Sequence, residues 1–192
     1  DFTGNGKLVL SGLVNSLGTL DDATGTVEYD GGTQNVLADN YYNLEIDQSG
    51  TKTAQGTIDV ENNFTIQSGA IFNVETNPIE VTGSTDINGT LKLSTGSFDA
   101  NGPFDATGGV IDFTANGRLQ LASTVTSLGM LDEQLGTVEY DGETQSVIGD
   151  NYFNLEIDQT GVKIASGSIN VNGNFLILGS FNNTPSFQLS YH

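Results

Sequence analysis

Residues 25–52 read GTVEYDGGTQNVLADNYYNLEIDQSGTK, and residues 136–163 read GTVEYDGETQSVIGDNYFNLEIDQTGVK. Two properties of this stretch decide the fold. Within it, side chains alternate: Val27 and Tyr29 share one face and Glu28 and Asp30 the other, and Leu44 and Ile46 alternate with Glu45 and Asp47. That period of two is the period of a strand. Beyond it, the stretch is duplicated. Asp1 to Ile66 returns at Asp112 to Ile177 without a gap, with about 41 of 66 positions identical. A repeat of 111 residues divides the chain into a first copy, 1–111, and a truncated second copy, 112–192, continuous with it. Tandem duplication on this scale favours an extended scaffold.

Working outward, Ile58 and Val60, Phe64 and Ile66, Ile87, and Leu91 and Leu93 keep the same alternation. Turn formers separate them: Gly31-Gly32, Ser49-Gly50, Asn62-Asn63, Ser68-Gly69, Asn88-Gly89 and Asn101-Gly102. No segment has a sustained helical period, and Gly12 to Leu20 is expected to form at most one short helical turn. The apolar pairs Val27/Tyr29, Leu44/Ile46 and Phe64/Ile66 recur every ~17–20 residues, the length of one solenoid coil. The chain therefore reads as an all-β parallel β-helix (β-solenoid) with ~20-residue coils. An antiparallel β-sandwich of hairpins is the alternative, since Asn-Gly pairs suit tight hairpins. On the solenoid reading each copy would hold about five coils of ~22 residues. At ~4.8 Å per coil it would advance ~24 Å along the axis.

Composition agrees. Glycine is frequent (25) and proline rare (3), which suits short strands joined by turns. The net charge is −19, from 24 acidic and 5 basic residues. Nucleic acids and anionic membranes attract basic surfaces, so neither is an expected partner. No apolar run approaches the roughly 20 residues of a membrane span. Cysteine is absent, so no disulfide or thiolate chemistry is available. The chain opens inside a repeat, without a leader or a capping turn at either end, and is expected to be part of something longer.

The order G-T-V-x-Y-D-G-x-T-Q-x-V, Y-x-N-L-x-I-D-x-x-G-x-K, G-x-I-x-V-x-x-N-F-x-I resembles a β-solenoid repeat of very large secreted surface proteins of gliding, Bacteroidota-type bacteria. The matching residues are Gly25, Val27, Tyr29, Gln34, Tyr41, Asn43, Leu44, Ile46, Gly50, Lys52, Gly56, Ile58, Val60, Phe64 and Ile66. Their second copies run from Gly136 to Ile177, and Gly69 to Ile111 is in the same style. The resemblance implies an extracellular, cell-surface adhesin or filament, exported in many cases by type IX secretion. The family's secretion-signal domain is not among these residues.

Candidate chemistry is sparse. A polysaccharide-cleaving site needs convergent carboxylates. The candidates are Asp21 and Asp22, matched by Asp132 and Glu133, and Asp39, matched by Asp150. Arg118 aligns with Lys7 and reads as an interchangeable surface cation, and His192 is terminal. If Val27/Tyr29 and Leu44/Ile46 stack, Glu28 meets Glu45 and Asp30 meets Asp47, as do Glu139 with Glu156 and Asp141 with Asp158 in the second copy. Stacked like charges need solvation or a bridging cation, which makes Ca²⁺ the one cofactor in view. No EF-hand or glycine-rich Ca²⁺ repeat is present. Lys52 and Lys163 read either as ordinary turn lysines or as salt-bridge partners for a neighbouring coil or protomer. Of Tyr41-Tyr42 and Tyr152-Phe153, one ring of each pair is expected in the core. Thr51, Thr53 and Thr57 become Val162, Ile164 and Ser168, so no threonine rank for ice binding forms. The reading is a non-enzymatic shaft with no catalytic, cofactor or metal residues, self-associating into a fibre or longer array. Surface glycans are a candidate ligand. A carbohydrate-binding or polysaccharide-cleaving β-helix is the alternative.

Overall fold

The computed structural model describes the whole chain apart from Asp1, Thr3, Asp21, Asp22, Glu133, residues 184–188 and His192, with residues 189–191 described in backbone only. The described residues contain no helix; their strands are short and every ladder is parallel. The fold is a β-solenoid of about nine turns, with three strands to the turn. It is not a sandwich of hairpins: a pair such as Asn88-Gly89 turns a corner between two faces and does not reverse the chain.

Short strands without partners are unstable, and those here gain stability by pairing with strands of neighbouring turns. Val27 and Tyr29 sit beside Leu44 and Ile46, which sit beside Phe64 and Ile66. All six are buried, as alternation requires. Burying each such side chain is worth about 1.5–3 kcal/mol relative to exposure. Phe64 packs against Phe72 and Phe98, with ring centroids 5.3 Å apart in both pairs, so residues of three different faces meet on the axis. Among the described residues no helix is long and apolar enough to cross a membrane.

The first face joins Lys7–Leu10, Thr26–Tyr29, Asn43–Ile46, Phe64–Ile66, Thr85–Ile87, Phe104–Asp105 and Val125–Ser127. The second joins Gln34–Val36, Gly50–Ala54, Ala70–Asn73, Thr90–Leu93, Val110–Phe113 and Met130–Leu131. The third runs from Asn40–Tyr41 through Ile58–Val60, Pro78–Val81, Ser97–Ala100, Arg118–Leu121, Thr137–Tyr140 and Asn154–Ile157 to Phe175–Ile177. Two three-stranded sheets follow: Gln145–Val147 with Val162–Ala165 and Ser180–Asn182, and Asn151–Tyr152 with Ile169–Val171 and Leu189–Tyr191.

The duplicated unit does not span a whole number of equal turns, as the spacing of apolar pairs suggests. Thr26–Tyr29 lies on the first face, but its copy Thr137–Tyr140, the seventeenth strand after it, lies on the third. At three strands per turn the copies are five and two-thirds turns apart. Individual turns take roughly 17–21 residues, within the range of solenoid coils. Nor does Gly12 to Leu20 form a helical turn. Val14, Leu17 and Leu20 are spaced as on a helix, yet their half-buried side chains follow the coil around the core. Gly18, with φ of 71°, breaks the helical path.

The stack has one irregular boundary per copy. The turn from Thr137 to its neighbour Asn154 is shorter than the turn from Arg118 to Thr137 before it. The short turn has only Phe153 between the strands Asn151–Tyr152 and Asn154–Ile157. Its strands are out of phase with the turn before. Val125–Ser127 and Met130–Leu131 accordingly pair only backwards, and Gln145–Val147 and Asn151–Tyr152 only forwards. The first copy repeats this succession of a longer and a shorter turn, from Lys7 to Thr26 and from Thr26 to Asn43.

Candidate functional site

The polar residues identical in both copies are concentrated around these irregular turns. On the first face Glu28 is in register with Glu45, and on the third face Glu139 is in register with Glu156. Lys7, one turn earlier, bridges the first pair: its Nζ ion-pairs with Glu28 and donates to Glu45 Oε2 at 2.7 Å. Arg118 does the same in the second copy, with Nη1 2.5 Å from Glu139 Oε2 and 2.9 Å from Glu156 Oε2. Stacked glutamates are thus held by a side chain of the protein itself.

The electrostatics follow from the geometry. Hydrogen bonds to Glu28 and Glu45 push the Lys7 ammonium up to about 12. Burial works against the charge of Glu45, but the bonds from Lys7 and from Gln67 Nε2, at 2.7 Å, outweigh it and hold the carboxyl below its usual range. For Glu139 burial wins, and its carboxyl is raised despite Arg118. Glu139, Glu156 and Asp158 are the acidic trio among the described residues whose oxygens lie within 4.8 Å of one another. Arg118 already engages two of the three.

Three further devices satisfy the backbone at the corners. Gln34, buried, accepts from the Gly31 amide at 2.6 Å and donates to the carbonyls of Leu10 at 2.8 Å and Gly12 at 2.7 Å in the preceding turn. Gln145 makes the same bonds to Gly142, Leu121 and Ser123. The buried phenols of Tyr29 and Tyr41 lie 3.1 Å apart around the backbone of Leu37, whose N–H donates to Tyr29 at 3.2 Å and whose carbonyl accepts from Tyr41 at 2.7 Å. Tyr41 spends its one proton on that carbonyl, so Tyr29 donates to Tyr41. Tyr140, Tyr152 and Ile148 form the equivalent set. As expected, one ring of each aromatic pair is in the core, while Tyr42 and Phe153 are half-buried.

Lys52 and Lys163 are neither surface turn lysines nor salt-bridge partners of another coil. Both are fully buried. Lys52 Nζ donates to the Gln48 carbonyl at 2.7 Å, while Lys163 Nζ donates to the carbonyls of Asp158, Gln159 and Thr160. Each ammonium closes from within the turn that precedes its own strand. That turn holds Gln48 and Gln159 at φ of 58° and 63°, with an aspartate oxygen capping their N–H groups. Burial lowers both lysines, and nearby carboxylates offset part of the effect.

The carboxylates singled out as catalytic candidates serve local turns where they are described. Asp39 and Asp150 each accept from the next residue's amide, at 2.9 and 2.8 Å, and Asp132 accepts from Gln134 N at 2.9 Å. Asp21, Asp22, Glu133 and His192 lie outside the described residues. A cleft of about 620 Å³, lined by Ser123, Thr124, Glu143, Thr144 and Ser146, marks the break between Val125–Ser127 and Gln145–Val147. Comparison with protein-family models, curated proteins and solved structures finds no match.

Proposed function

We propose that this chain is a shaft segment of an extracellular bacterial surface protein, a filament or adhesin stalk. The observation that carries the reading is where the repeated polar residues go. Gln34 and the Lys7 ion pairs hold one turn to the next, Lys52 and the Tyr29–Tyr41 pair hold the corners of a single turn, and their second copies do the same. Duplication has multiplied a way of stacking. The resemblance of the repeat to those of secreted surface proteins of gliding bacteria supplies the location, and the net charge of −19 suits a shaft that stays solvated.

Electron microscopy of intact source cells, labelled with antibody to this chain, tests the proposal. Label along thin extracellular projections is expected. Label confined to the cell interior would overturn it. Release of reducing ends from polysaccharides by the purified chain would favour the enzymatic alternative.

A further inference from the structure

In each copy, one boundary between turns is joined by a single backbone ladder where the others have up to three. In the second copy the strands Arg118–Leu121 and Thr137–Tyr140 pair across it, while the ladders of the other two faces stop. The two side-chain devices described above lie at this boundary. Arg118 reaches from one side to Glu139 and Glu156 on the other, and Gln145 reaches back to the carbonyls of Leu121 and Ser123. The first copy has the same arrangement, with Lys7, Glu28, Glu45 and Gln34 across the ladder between Lys7–Leu10 and Thr26–Tyr29.

We propose that this boundary is a built-in release point, latched by the Arg118 ion pairs. The turn that starts at Thr137 parts from the turn before it ahead of any other pair of turns inside the stack. The physical reason is the number of ladders: local opening starts where the fewest backbone bonds must break. Ladder bonds in a solenoid point along the axis. A shaft under tension loads them in series, and the boundary with one ladder gives way first. That mechanical consequence rests on the shaft reading; the opening itself does not, and it is measurable on the free chain.

Native-state hydrogen exchange on the intact chain tests it. Amides of Thr137 and Asp141 have their bonds across the boundary, to Gly117 O at 3.0 Å and to Leu121 O at 3.2 Å. They are expected to exchange about tenfold faster than those of Ser97–Ala100 on the same face. Arg118→Gln should speed them by about a further tenfold and leave Ser97–Ala100 unchanged, while Arg118→Lys, which copies the first repeat, should restore slow exchange. If Arg118→Gln does not fold, salt of about 1 M on the unaltered chain screens the same ion pairs and should act in the same direction. Equal protection of the two strands would overturn the proposal. So would exchange that rises steadily from Ser97 towards residue 192, because Asn154–Ile157 would then open before Thr137–Tyr140 by fraying from the end.

Discussion

A polar side chain that points into a solenoid has to find its partner at a corner, because the strands above and below offer it mostly apolar atoms. Gln34, Lys52 and Tyr41 meet this demand by bonding to backbone at corners, where the ladders leave groups unpaired. Their inward direction was legible in the sequence. Gln34 shares parity with Val36, and Lys52 with Ala54, so each stands in an inward position of its strand. Their partners were not legible, since they are main-chain carbonyls that only the closed coil brings near. Asp99 shows the opposite situation. It faces outward beside Glu80 and Gln120, and its Oδ1 is buried without a hydrogen bond among the described residues. Burial, then the charges of Asp141, Glu80 and Glu139, push its carboxyl up to about 6. A carboxyl raised on folding stabilises the protein below its unfolded value near 3.8, and that contribution is lost as pH rises through about 6. Asp99→Asn, which stays neutral, should therefore raise stability at pH 7 by about 1 kcal/mol, after solvent screening of a half-buried group. Urea denaturation of both proteins at about pH 3 and pH 7 checks this. The gain should shrink to nothing at the lower pH.

At the scale of the element, a short strand is set by its neighbours in the stack. Alternation of apolar residues was enough to place the strands around Val27, Leu44, Ile58, Phe64, Ile87 and Leu91, because the buried side of each is the side the sequence makes apolar. Corners are less legible. The spacing of Val14, Leu17 and Leu20 looks helical because a coil turning a corner also brings every third residue inward. What the corners require is close approach of successive backbones. At Gly102 a Cβ would lie 2.1 Å from the carbonyl oxygen of Gly83, one turn earlier. Gly102→Ala should cost about 1–3 kcal/mol, since the clashing atom is backbone and the turns must part. Gly32→Ala is the control: a Cβ there meets nothing within 4 Å, and the second copy already carries Glu143 at this place. Its effect should stay within about 0.5 kcal/mol. Denaturant midpoints of the two variants, compared with the unaltered chain, decide the matter.

The whole molecule behaves as a sum of turns, each in contact with its neighbours alone. Removing residues 85–103 brings Phe104 onto Phe64, Val110 onto Ile71 and Arg118 onto Pro78, and the turn that remains has a length the stack already uses between Ser97 and Arg118. This shortened chain should fold and melt cooperatively, with Tm lower by less than about 10 °C. Removing only residues 85–94 breaks the phase of every later strand and should abolish the cooperative melt. Circular dichroism on heating distinguishes the two. The count of turns per copy was not legible in the sequence, because turns of unequal length blur any fixed period. The offset between copies carries a consequence of its own. A segment that was copied onto a different wall of the solenoid, and still folds there, shows that the three walls accept one another's sequence. The cross-section is interchangeable in thirds, and the ion pair that Lys7 makes on one wall is made by Arg118 on another. Continued duplication by the same step would wind the motif around the shaft as a screw thread, returning to its first azimuth after seventeen turns, about 80 Å along the axis.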